Sequence, residues 1–116
     1  MLRLSFTFLL FCSITFLSCG GKQSDTISIK DIKEPCDCTN HLIIYLDEAL
    51  AITQNYESGK DIEGSTDEAE LDLLLDRIGA TQRKCEKKFE ASAIQSCSGN
   101  DQVESKLVEL YKLLAE

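Results

Sequence analysis

Three residues able to do chemistry lie close together in this chain: Cys36, Cys38 and His41 fall within six residues, while Cys85 and Cys97 follow far downstream. Soft thiolate sulfur combined with imidazole suits zinc or copper, whereas paired and oxidised thiols form structural disulfides. Structural zinc sites usually separate their paired cysteines by two to four residues; here a single residue intervenes, and no C-x-x-C redox pair is present. Disulfides are therefore the expected state. Thiol-redox or metal chemistry using Cys36, Cys38, Cys85 and His41 is the alternative.

No other catalytic set can be assembled. His41 is the only histidine, and Ser65, Ser92 and Ser98 stand where helix caps and loops account for them. The acidic residues Asp61, Glu63, Asp67, Glu68, Glu70 and Asp72 fail as a calcium loop. Counted from Asp61, the sixth position is Thr66 where glycine is needed, and the twelfth is Asp72 where glutamate is needed. They read instead as a solvated helix start, where negative charge suits the dipole. The expectation is a chain that is not an enzyme and holds no cofactor.

The compartment is read from the amino terminus. Residues 4–17 (LSFTFLLFCSITFL) carry no charge and follow Arg3, while everything after Lys22 is rich in charge. The run is shorter than the roughly 20 apolar residues a spanning helix needs, and it is apolar on every face, unlike a core helix. A charged start, a short apolar stretch and a small-residue exit are the pattern of a secretory signal peptide, assigned to residues 1–18.

The stretch Phe16-Leu17-Ser18-Cys19-Gly20 resembles the lipobox of bacterial lipoproteins, in which a small residue precedes the cysteine that receives a diacylglycerol before cleavage on its amino side. Cys12 follows Leu10 and Phe11, which are too bulky for such a site, so the resemblance places the lipid on Cys19. Each buried methylene contributes about 0.8 kcal/mol, one chain anchors marginally and two or three anchor firmly. Removing residues 1–18 leaves five cysteines, an odd number in an exported chain; lipidation of Cys19 leaves an even four. Gly20 stands where aspartate would signal inner-membrane retention under the enterobacterial sorting rule, so the resemblance implies the outer membrane. The start SCGGK is also similar to that of many small lipoproteins of Bacteroidetes-type bacteria.

Residues 19–35 read as the lipidated cysteine and a tether, mixed polar and closed by the only proline. From Cys36 onward the apolar spacing is helical. Leu42, Leu46, Ala49 and Leu50 mark a first helix, expected to begin near Thr39 or Asn40 and to fray around Glu57. Residues 58–68 form a loop, with a capping box from Ser65 to Glu68 opening the second helix. Leu71, Leu74, Leu75, Ile78 and Cys85 carry that helix to about Ala93 or Ile94. Asn100 or Asp101, with Glu104, opens a shorter third helix through Val103, Leu107, Leu110 and Leu114. The fold class expected of residues 36–116 is all-α, an antiparallel helical hairpin plus a shorter third helix.

So small a domain needs covalent staples in an oxidising compartment. Stepping back along the hairpin from its loop sets Cys38 opposite Cys85, because both helices rise about 1.5 Å per residue. Cys36 is then left for Cys97. Exchanging the partners satisfies nearly the same geometry, as Cys36 and Cys38 are two residues apart.

The chain has 12 basic and 20 acidic residues; without Arg3 its net charge is about −9. Arg83, Lys84, Lys87 and Lys88 form a local basic cluster that complements a helix end. Net acidity excludes nucleic acid as a partner. The expected partners are a membrane, through the lipid on Cys19, and an envelope protein. Intact-mass measurement on detergent-extracted protein is expected to give a chain beginning at Cys19 with acyl mass, gaining four alkyl groups only after reduction. A non-acylated chain would remove the anchor.

Overall fold

In the computed structural model, residues 23–115 are described. The signal peptide assigned to 1–18, the lipidation site Cys19 and residues 20–22 lie outside them.

The first helix, α1 (Pro35–Thr53), starts before the expected Thr39. Proline suits a first helical position because its missing N–H would have no intrahelical partner there. Asp37 completes the start, its carboxylate accepting the backbone N–H groups of Lys33 (2.9 Å) and Glu34 (3.0 Å). Those two bonds hold the Asp37 carboxyl below the usual carboxylate range. The helix ends at Thr53 rather than near Glu57, and Tyr56 beyond it donates to Asp67 across the turn (2.7 Å).

The expected loop contains one helical turn, α2 (Gly59–Ile62), because its single apolar side chain, Ile62, is buried in the core. A Cβ on Gly59 would stand 2.7 Å from the carbonyl oxygen of Leu114, so only glycine lets this turn meet the end of the last helix. The second long helix, α3 (Glu68–Lys88), begins without the expected reciprocal capping box. The Ser65 hydroxyl accepts from Asp67 (3.3 Å) and donates to the Ile62 carbonyl (2.6 Å), while Glu68 reaches one residue further back, to the N–H of Gly64 (3.1 Å).

α3 stops at Lys88 instead of continuing to Ala93 or Ile94. Phe89 takes an extended conformation, and a short helix, α4 (Ala91–Gln95), follows. In a straight helix Ile94, nine residues after Cys85, would lie two and a half turns away on the opposite face. The break turns Ile94 back so that it and Phe89 both pack against Ile32, Cys38 and Cys85. The last helix, α5 (Asn100–Ala115), runs parallel to α1. Gly99 at its start adjoins Thr39 and Ile43, Lys106 pairs with Asp47 (2.6 Å), and Leu114 meets Gly59. Gly99 adopts φ of 97°, which favours glycine.

The result is the all-helical, disulfide-stapled hairpin with a third helix, running up, down and up, with no strand among the described residues. The helices α3 and α5 both pack on α1, which buries Leu42, Tyr45, Leu46, Ala49, Leu50 and Ile52.

The segment before α1 differs from a tether. Residues 23–34 form two 3-10 turns, Gln23–Asp25 and Ile29–Asp31, the second closed by a capping box between Ser28 and Asp31. They lie against α1 and α3. Ser24 is buried and bonds Glu48 of α1 through its amide and hydroxyl. Arg77, Lys84 and Lys88 of α3 donate in turn to the carbonyls of Ser24 (3.3 Å), Ile29 (3.1 Å) and Ile32 (3.0 Å). Side chains 53 to 56 residues away thus satisfy backbone that has no ladder of its own.

Ile32, 1% exposed, inserts beside the Cys38–Cys85 bond. Ile32→Ala is expected to cost about 2–5 kcal/mol in reversible denaturant unfolding, the range for a core aliphatic residue. A loss below about 0.5 kcal/mol would mean that the segment is not docked.

Candidate functional site

Because α3 and α5 each pack on α1, they leave a cleft between them at the end where α4 crosses. Its floor is Cys38 and Leu42 of α1. Cys85 and Phe89 of α3 form one wall, Val103 of α5 the other, and Ile94 of α4 closes the end. The volume is about 440 Å³, within the range of small-ligand and side-chain pockets. Gln82, Glu86, Gln95, Asn100 and Glu104 bring polar groups to its lining, and the two charged residues among these are both acidic. Such a site suits an apolar group with a positive charge beside it.

The frame of the cleft is covalent. Cys38 and Cys85 are bonded, with Cα atoms 6.2 Å apart, and Cys36 is bonded to Cys97, with Cα atoms 5.4 Å apart. The first bond clamps the start of α1 to the end of α3 directly under the cleft. The second ties the residue after Pro35 to the turn between α4 and α5, and so fixes the wall that α4 provides. Of the two pairings open on spacing, this is the one formed. The chain-entropy model assigns roughly 4 kcal/mol to each closure, so loop length does not distinguish them. Exposure separates the two bonds at one residue: Cys38, Cys85 and Cys97 are buried at 0%, 3% and 6%, and only Cys36 lies on the surface.

The alternative thiol or metal set comprises Cys36, Cys38, Cys85 and His41. The sulfurs of Cys36, Cys38 and Cys85 are all in disulfides, hence unavailable as thiolate ligands in this state. Among the described residues, no three His, Cys, Asp or Glu side chains are grouped to hold a metal ion. His41 is buried, its ring meeting Tyr45 edge to face at 6.4 Å, and its Nδ1 has no hydrogen-bond partner among the described residues. Burial also pushes the Tyr45 phenol up.

Of the basic cluster, Lys84 and Lys88 are committed to the carbonyls of the amino-terminal segment, and Lys88 also lies 5.6 Å from the Phe89 ring centre. Two of the four cluster cations are thus engaged within the chain. The cleft itself was not visible in the sequence. Its nearest sequence signal is the pair Phe89 and Ile94 just beyond Cys85, which only the helix break brings together.

No protein-family model, curated protein or solved structure matches this chain. Among the described residues, no helix is long and apolar enough to cross a membrane.

Timed alkylation during titration with a dithiol reductant is expected to trap Cys36 and Cys97 as thiols first, with Cys38 and Cys85 reacting only when the fold opens. Simultaneous reduction of both pairs under native conditions would contradict the protection that burial gives the inner bond.

Proposed function

We propose that this protein is a lipid-anchored module of a bacterial cell envelope, attached to the outer membrane through Cys19, and that it binds another envelope protein without catalysis. The observation that carries the binding reading is the cleft over the Cys38–Cys85 bond, an apolar recess with two glutamates in its lining, held open by two covalent staples. Preorganised recesses of this kind bind with little loss of conformational entropy, because the walls are already ordered. The fitting occupant is an apolar side chain of a partner protein, flanked by lysine or arginine able to meet Glu86 and Glu104.

The lipid anchor is supported by the sequence around Cys19 and by an even cysteine count in the remaining chain. The disulfides agree with an oxidising compartment, in which such bonds persist.

Ile94→Asp would place a carboxylate in the apolar end of the cleft and is expected to reduce recovery of a crosslinked partner in cells by about tenfold or more, the scale of a hot-spot residue. Glu86→Lys should weaken recovery without disturbing the fold, as judged by circular dichroism. If no protein is repeatedly recovered with the wild-type chain, or if Ile94→Asp recovers it equally well, the cleft is not the binding site.

A further inference from the structure

The side of α5 turned away from α1 forms a ridge. Glu104, Ser105, Val108, Tyr111 and Lys112 follow at steps of one, three, three and one residues and are all exposed. Val108 is 68% and Tyr111 56% exposed, and only one other large apolar residue, Leu73 on α3, is comparably open among the described residues. Neighbouring charges on α5 are engaged within the chain: Lys106 pairs with Asp47, and Glu109 accepts from Gln54 (3.3 Å). The ridge charges are less committed. Glu104 accepts one amide bond from Asn100 at 3.4 Å, and Lys112 has no ion-pair partner among the described residues.

Their order along the helix is the informative feature. Glu104 stands four residues before Val108 and Lys112 four residues after it. When two copies of α5 lie antiparallel with a twofold axis through Val108, each Glu104 falls opposite the other copy's Lys112. The same operation sets Val108 against Val108 and Tyr111 against Ser105, a small side chain that leaves room for the ring. A parallel alignment would oppose glutamate to glutamate and lysine to lysine.

We infer that this ridge is a self-association surface through which two copies of the chain pair antiparallel about Val108. Such an interface is isologous and closes on itself, so it yields a dimer and not a filament. One helix face offers less area than the roughly 1,600 Å² of a standard stable interface, which makes the dimer weak and reversible. Exposed ion pairs at its margin fix orientation more than affinity. The inference does not depend on the lipid anchor.

The test is made in intact cells carrying two differently tagged copies of the full chain. A photoreactive benzoyl-phenylalanine replaces Val108 in one copy, and the same group at Asp72 serves as the off-ridge control. Irradiation is expected to give an adduct containing both tags from position 108 and none from position 72. Glu104→Lys in both copies should lower that yield at least severalfold, and adding Lys112→Glu should restore it. Absence of the two-tag adduct, an adduct with a different protein only, or a yield indifferent to Glu104→Lys would each overturn the proposal. Glu104 borders both the cleft and the ridge, so the two readings are told apart by Ile94→Asp, which alters only the cleft, and by the adduct from position 108, which lies outside the cleft lining.

Discussion

The structure depends on the enclosure of α1. A helix with one partner needs one apolar stripe, but α1 buries side chains towards α3, α5 and the amino-terminal segment together, so nearly every turn contributes inward residues. Ala49 and Leu46 have no exposed surface at all. Each flanking element has its own apolar stripe satisfied by α1, and α3 and α5 need not pack tightly on each other. The cleft is the space that this arrangement leaves.

The disulfides reinforce the enclosure at one end. Both join the start of α1 to whatever follows it in space, first to α3 and then to the turn before α5. At the other end the contact between Gly59 and Leu114 is non-covalent and relies on the absence of a side chain. The two ends therefore hold the three long helices by different means, cross-links below and close backbone approach above.

Legibility in the sequence followed the range of the interactions. The helices were legible because apolar residues recur at three- and four-residue steps, and the disulfide pairing was within reach because hairpin geometry sets Cys38 against Cys85. Of the local readings that differed, three show the reason most clearly. Pro35 was read as the end of a tether when it is the first helical residue, a distinction that rests on Asp37 capping the preceding amides. Phe89 ends α3 although nothing in its type breaks a helix; the gain is burial of Ile94 beside Cys85. Residues 23–34 read as linker because their order comes from Arg77, Lys84 and Lys88, and no local pattern in a polar segment reports donors so far along the chain.

Docking of that segment also sets a reach. With Ser24 already buried against Glu48, only about five residues separate Cys19 from the folded body. At roughly 3.3–3.6 Å per residue they span no more than about 18 Å when fully extended. With Cys19 as the proposed anchor, the body would be held on a leash shorter than α3 alone, whose 21 residues run about 32 Å at 1.5 Å each. It would sweep a shallow layer beside the headgroups, within a few Debye lengths of their charge, and would meet only partners that come equally close to the bilayer.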